Sequence, residues 1–372
     1  MNIIGIIAEY NPFHNGHLYH INKIKEMYPD SLLILVLNGY FTERGEISIL
    51  TKEDKTMIAL ENKVDIVLEL PFVYGTQAAD IFAYNSVKIL NELGVQYLVF
   101  GSESDNVELL DKVADIQLND PEYEIRVKEY LEDGINYPTA MAKALNIKED
   151  ISNPNDLLGI SYIKAIKKLN SKIKPITILR TNDYHDNELN DSIVSASNIR
   201  VRLENNEDIS SYLPTSSLSK LVDIDQDKLF TLLKFKILTD KDLSIYLDVD
   251  EGIEYRILKF INISATWNEL VYNIKTKRYT YNKINRMLVH ILVGLTKSDN
   301  DLGEMDYIKI LGFNNNGKTY LNKIKKDISL PIKPNKDSII YKYELLASYV
   351  YQQVAKANVY EFDKENKPIV IN

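Results

Sequence analysis

Two histidines three residues apart, His14 and His17, flank Asn15 and Gly16 just after the apolar run Ile3 to Ala8. An imidazole can donate a hydrogen bond to a phosphate oxygen without carrying a full charge. Gly16 removes the Cβ that would keep the backbone away from such a group. If the run is a strand and a helix begins near His17, free N–H groups and the positive end of the helix dipole favour an anion there. The chemistry this suits is nucleotidyl transfer. The histidines would stabilise charge developing on an α-phosphate and its bridging oxygen, acting electrostatically rather than as nucleophiles. Two other readings stay open: a plain helix cap, or a metal site using His14, His17 and His20. No acidic or cysteine cluster nearby completes a tetrahedral metal set. His20, one turn further along, reads as structural or peripheral.

Such a turn needs a sheet to hold it. Apolar runs at Ile3 to Ala8, Leu32 to Leu37, Ile66 to Leu70, Tyr97 to Phe100 and Pro175 to Leu179 alternate with helical stretches near Leu18 to Met27, Lys52 to Asn62 and Ala78 to Leu93. That rhythm predicts a parallel α/β sheet of at least five strands, with ligands at the carboxyl ends. The polar stretch Val107 to Lys148, broken by Pro121 and Pro138, reads as an inserted helical segment. After about residue 205 helical periods dominate, at Leu218 to Val222, Leu229 to Leu238, Gly252 to Ile261, Trp267 to Ile274 and Tyr281 to Leu295. A last α/β stretch follows, with Tyr307 to Leu311, Gly317 to Lys326 and Ser338 to Ala357. The expected division is an ATP-binding α/β unit over 1–204 and a mainly helical unit over 205–372, joined by the polar stretch Asn205 to Ser211.

Composition sets outer limits. The 372 residues are 45% apolar and 26% charged, typical of globular proteins. The absence of cysteine removes disulfides, thiolate metal sites and cysteine nucleophiles, and fits a reducing compartment, so the cytoplasm is expected. The N-terminal segment lacks a basic region ahead of its apolar run and reads as a strand, not a signal; no run reaches membrane-spanning length. A net charge of −9 confines any nucleic-acid contact to local patches.

The turn resembles the nucleotidyltransferase superfamily with the HxGH signature, shared with class I aminoacyl-tRNA synthetases and pantetheine-phosphate adenylyltransferases. Longer blocks are similar to the bacterial tRNA(Met) cytidine acetate ligase family. They include Glu9 to His17, Asn38-Gly39-Tyr40-Phe41, Arg44-Gly45-Glu46, Leu68-Glu69-Leu70-Pro71 and Phe100-Gly101-Ser102-Glu103. Asn153-Pro154-Asn155, Leu158-Gly159, Tyr184-His185-Asp186, Ser195 to Arg200 and Thr276 to Thr280 continue the resemblance over nearly the full length. It implies a Rossmann-like nucleotidyltransferase domain of HUP type followed by a mainly helical C-terminal domain. It also implies that acetate and ATP form acetyl-adenylate, and that the acetyl group passes to the exocyclic amine of the wobble cytidine in the anticodon loop of elongator tRNA(Met). No protein partner is implied.

By the same resemblance the ATP segment is Ile7, Ala8, Glu9, Tyr10, Asn11, Pro12, Phe13, His14, Asn15, Gly16, His17, Leu18, Tyr19 and His20, with Gly101, Asn155 and Arg180 as further contacts. Gly101 would leave room for adenine or ribose at a strand end, or be a plain turn glycine. Asn155 would bond the adenine edge or ribose, or cap a helix. Arg180 would bring a guanidinium to the site, or be a surface residue. Ser197, at a helix start, leaves donors for a β- or γ-phosphate while Arg200 meets the departing pyrophosphate; an ordinary cap with an exposed arginine is the alternative. Magnesium is expected with ATP, held mostly by phosphates and water. The sequence departs from the family at Glu43, where glutamine is usual, and at Glu53 and Lys55, where tryptophan and arginine are usual. Lys52 and Lys55, on a helix after the second strand, read as solvated, with reach to phosphate or tRNA as the alternative.

For tRNA, Lys275, Lys277, Arg278, Lys283 and Arg286, interleaved with Tyr279 and Tyr281, form the densest basic and aromatic segment. Cations would hold phosphates and tyrosines stack unpaired bases, although the segment could also divide between core and solvent as any helix does. A weaker cluster holds Lys318, Lys323, Lys325 and Lys326. Two rival functions are a nucleotidyltransferase making a small cofactor without RNA, and a non-catalytic RNA-binding protein.

Overall fold

The computed structural model describes residues 1–135, 137–147, 149, 151–180, 193–301 and 304–372. The expected strands form β1 (Ile3–Ala8), β2 (Leu32–Asn38), β3 (Ile66–Leu70), β4 (Tyr97–Ser102) and β5 (Lys174–Leu179), adjacent in the order β5-β4-β1-β2-β3. All four of these pairings are parallel. The sequence of β2 shows why: every residue from Leu32 to Asn38 is buried, as a strand covered on both faces requires. Its side chains alternate between two cores. Ile34 and Val36 join one, and Leu33, Leu35 and Leu37 join the other.

Helices cover both faces. On one, α1 (Asn15–Met27) supplies Ile21 and Ile24, and α2 (Lys52–Glu61) supplies Ile58, Ala59 and Leu60. On the other, α3 (Ala79–Glu92) brings Phe82, Val87 and Leu90, and α4 (Pro154–Lys168) brings Ile160, Ile163 and Ile166. The inserted segment forms helices Val107–Asn119, Tyr123–Glu132 and Tyr137–Ala144, which extend this second core through Leu110, Val113, Tyr123 and Val127. From β1 the chain steps outward through β2 to β3, then returns to the opposite side of β1 with β4 and β5. The order therefore reverses between β1 and β4, and a crevice opens there at the carboxyl ends.

The helical region has its own core. After α5 (Ala196–Glu204), the helices α6 (Gln226–Thr239), α7 (Ile253–Phe260), α8 (Trp267–Ile274) and α9 (Tyr281–Val293) bury Leu233, Ile257, Leu270, Ile284 and Leu288 together. Next come α10 (Ile339–Ala355) and α11 (Tyr360–Glu365). Tyr343, Ala347 and Tyr351 of α10 pack with Tyr40, Phe41 and Phe72 of the first half. The helical period expected at Leu218 to Val222 is not continued: a short helix, Thr215–Leu218, ends where that period was to begin.

The sheet also takes strands from the second half. β6 (Ile310–Phe313) pairs antiparallel with β3, and β7 (Ile369–Val370) pairs parallel with β6. The seven-stranded sheet thus crosses the division expected at residues 204 and 205. Its pairing covers the edge β3 would otherwise leave open. The strand expected from Tyr307 to Leu311 begins later, at Ile310.

Candidate active site

The β1–α1 turn sits at the point of strand reversal. Tyr10 takes a left-handed backbone (φ 48°) and the Asn11–Pro12 peptide is cis. Asn11 fastens the turn to the neighbouring loop, accepting from Ile49 N at 2.9 Å and donating to the Ile47 carbonyl at 3.2 Å. His14 is the helix N-cap: its Nδ1 accepts from Gly16 N at 3.0 Å, while His17 Nδ1 accepts from His14 N at 3.2 Å. The two rings stack with centroids 3.8 Å apart, and Tyr10 lies edge-on to His17.

A backbone N–H can only donate, so both Nδ1 atoms are unprotonated and the proton of each neutral ring is on Nε2. Burial, then the charges of Arg180 and Arg200, lower His14 to about 3. Burial, then His14, His20 and Arg180, hold His17 well below its ordinary range, and burial lowers His20 to about 4. The turn therefore offers neutral Nε2–H donors at physiological pH. The capping role and the donor role coexist, because each uses a different ring nitrogen. With both Nδ1 atoms bound to backbone donors, a metal could use only the Nε2 atoms. A Cβ on Gly16 would meet His14 Cε1 at 2.8 Å, so the glycine is needed for the folded-back ring even before any phosphate arrives.

Gly101, Asn155 and Arg180 form the facing wall. Arg180 lies over Gly101, whose Cβ position is 3.4 Å from Arg180 Cγ. Its Nη1 donates to Asn155 Oδ1 at 3.4 Å, and Asn155 Nδ2 donates to Glu103. Glu103 also accepts from Asp156 N at 3.0 Å, at the start of α4. The helix cap is Asn153, so Asn155 in the first turn is left to face Arg180 and Glu103. Glu103 received no role from the sequence, although its block was visible there.

From the other side, α5 begins at the cap Ser195, which accepts from Asn198 N at 3.2 Å. Ser197 is one residue into the helix and accepts from Arg200 Nη2 at 3.4 Å. Arg200 donates to the Asn11 carbonyl at 2.6 Å and pairs with Glu46. It thus clamps the turn and adds positive charge beside His14. Among the described residues Arg180 and Arg200 both lie close enough to lower the pKa of His14, which links Gly101 and Asn155 on one side with Ser197 on the other. Tyr184, His185 and Asp186 lie outside the described residues.

Glu9, at the end of β1, accepts from Asn38 Nδ2 at 2.9 Å and from Glu43 N at 2.6 Å. Burial raises the Glu43 carboxyl to about 7; Arg286, 3.5 Å away, opposes this and Glu9 reinforces it. The added charge expected at this position is thus met by Arg286 and reduced by proton uptake. Gly45, at φ 78°, turns the loop onto α9, where a Cβ would meet Arg286 N at 2.5 Å.

Lys52 and Lys55 are corrections to the sequence reading, since neither is solvated. Both are fully buried. Lys55 Nζ donates to the carbonyls of Gly39 and Asn38 at 2.7 and 3.3 Å, and burial lowers its pKa to about 7. Lys52 Nζ contacts Glu69, Glu344 and Asp363 at 2.6, 2.5 and 2.8 Å. Burial alone would depress Lys52, but Asp363, Glu344 and Glu69 outweigh it and keep the ammonium charged. Among the described residues these three carboxylates are the one convergent acidic cluster, and two buried lysines occupy it: Lys52, and Lys309, which reaches Asp363 at 2.8 Å and Glu69 at 3.2 Å. An acid inside the apolar strand Ile66–Leu70 was the available signal that an internal cation was needed.

The basic segment divides. Lys277 and Arg278 are exposed, and Arg278 pairs with Glu251 at 3.3 Å. Lys275 lies 5.0 Å over the exposed Tyr281 ring. Tyr279 is buried and donates to the Asp250 carbonyl at 2.6 Å. Arg286 is turned inward to Glu43 and Asp248. No helix among the described residues is long and apolar enough to cross a membrane.

Residues 1–367 match the family model described as HIGH Nucleotidyl Transferase. The tRNA(Met) cytidine acetate ligase of Clostridium novyi is 36% identical over all of both chains. That of Caldicellulosiruptor saccharolyticus is 40% identical over 92% of this chain and 89% of its own. The crystal structure of apo Thermotoga maritima TmcAL superposes over all of both chains with a TM-score of 0.90 and 29% identity. The structure of the same protein bound with alpha-thio ATP gives 0.88 at 29% identity over the same full coverage. The chain belongs to the HIGH nucleotidyltransferases and, within them, to the tRNA(Met) cytidine acetate ligases.

Proposed function

We propose that the protein is an ATP-dependent ligase that adenylates acetate and acetylates the exocyclic amine of the wobble cytidine of elongator tRNA(Met). The observation that carries the adenylation half is the pair of neutral Nε2–H donors at His14 and His17, flanked by Arg180 and Arg200. An acetate oxygen attacks the α-phosphorus, the bond to the bridging oxygen breaks, and pyrophosphate leaves. Donors fixed before reaction stabilise the charge that develops on those oxygens without reorganising. Arg200 meets the β- and γ-phosphates, Arg180 and Asn155 hold the nucleotide against Gly101, and Ser197 completes the phosphate side. The cytidine amine then attacks the acetyl carbonyl, AMP departs, and the amine loses a proton.

Magnesium enters with ATP. The nearby carboxylates Glu9, Glu46 and Glu103 are already engaged by Asn38, Arg200 and Asn155, which supports a metal held by phosphate oxygens and water. Lys275, Lys277 and Arg278 hold tRNA phosphates, while Arg286 serves from within, through Glu43. Substrates of this kind imply the cytoplasm. The test is to incubate the full chain with ATP, radiolabelled acetate and tRNA. Label incorporated into elongator tRNA(Met) supports the reading; ATP–pyrophosphate exchange driven only by another acid favours the cofactor-making alternative.

A further inference from the structure

Two tyrosines beside the basic segment take no part in adenylation. Tyr255 on α7 is 74% exposed and Tyr272 on α8 is 72% exposed. A tyrosine ring with a polar tip is suited to a recognition surface, where one end is apolar and the other wet. The buried residues of α7 are Ile253 and Ile257, and those of α8 are Leu270, Val271 and Ile274, so both tyrosines point away from the core.

Hydrogen bonds join the two helices that carry them. Arg256, next to Tyr255, donates to the carbonyls of Asn273 and Ile274 at 2.7 and 3.2 Å, immediately beyond Tyr272. Tyr255 borders Gly252, and the adjoining Glu251 pairs with Arg278. Lys275 directly follows Ile274. Cations alone would hold any polyanion; exposed rings interleaved with them suit bases that are not already stacked in a duplex. Lys275, Lys277 and Arg278 offer local positive charge, in part met by Glu251, within a chain whose net charge is −9.

We infer that Tyr255 and Tyr272 are stacking residues which, with Lys277 and Arg278, receive unpaired bases of an RNA loop. This rests on tRNA being the substrate. The experiment measures binding of the full chain to tRNA(Met), to an RNA hairpin with an unpaired loop, and to a blunt RNA duplex with the same number of phosphates. A Tyr255→Ala/Tyr272→Ala variant should bind the tRNA and the hairpin about tenfold more weakly or worse. Its duplex binding, salt slope and acetate-dependent ATP–pyrophosphate exchange should not change, and Tyr255→Phe/Tyr272→Phe should bind like the parent. If the alanine variant binds the hairpin normally while the parent acetylates tRNA, the stacking role is overturned and the substrate reading stands. If the parent neither binds nor acetylates tRNA, both fall. If the alanine variant only loses self-association in sedimentation, the tyrosines cover a protein interface and the inference is wrong.

Discussion

The Glu43 carboxylate lies 3.5 Å from the Arg286 guanidinium, and the backbone N–H of the same Glu43 donates to Glu9 at 2.6 Å. One loop residue thus joins the last residues of the catalytic strand to the helix that begins beside the basic segment. Arg286, proposed from the sequence to meet RNA, is turned toward Glu43 and Asp248.

Glu43→Gln should change the pH dependence of stability in a defined direction. The folded carboxyl titrates at about 7 against an ordinary 4.5. Its stabilising contribution is therefore complete below pH 4.5 and is lost as pH rises through 7. Relative to the variant, the parent should lose on the order of 3 kcal/mol across that window. Paired denaturation curves at the two ends measure it; parallel stability profiles would refute the titration.

His17→Ala should lower acetate-dependent ATP–pyrophosphate exchange by at least ~100-fold, the usual cost of one preorganised donor. Binding of tRNA should stay within about twofold of the parent. Because His14 and His17 are held neutral, the parent's exchange rate should show no histidine inflection between about pH 5 and 8. An inflection near the ordinary value of 6.5 that persists in Glu43→Gln and disappears in His17→Ala would mean that a charged imidazole takes part.

Lys277→Gln combined with Arg278→Gln should weaken tRNA binding and reduce the slope of log affinity against log salt by about 1 for each phosphate no longer neutralised. Exchange without tRNA should be unaffected. A slope identical to that of the parent would remove both residues from the RNA interface.

Lys52→Met should destabilise the fold by about 3–5 kcal/mol, because Glu344 would lose its paired cation while Glu69 and Asp363 would share Lys309 alone. Adding Glu344→Gln should recover part of the loss in urea denaturation. No recovery would argue that Lys52 acts through packing alone.

Much of the geometry of the candidate site was legible in the sequence because its signals are local. A strand, a glycine turn and a helix start specify one another within about twenty residues, and each element's period appears in its own side chains. Ile3 to Ala8 and His14 to His17 therefore announce both the sheet and the chemistry. The family blocks supplied Gly101, Asn155, Arg180 and Arg200, whose placement depends on strand order that no local pattern encodes.

What only tertiary structure decided is how buried charges are matched. The sequence around Lys52 and Lys55 looks like a solvated helix face, because their partners Glu344 and Asp363, and the carbonyls of Asn38 and Gly39, arrive from other elements. Tyr279 and Arg286 turned inward, and Tyr255 and Tyr272 outward, for the same reason. Hydrophobic period sets which face of a helix is buried, but a polar side chain goes wherever folding brings it a partner, and that partner can be hundreds of residues away.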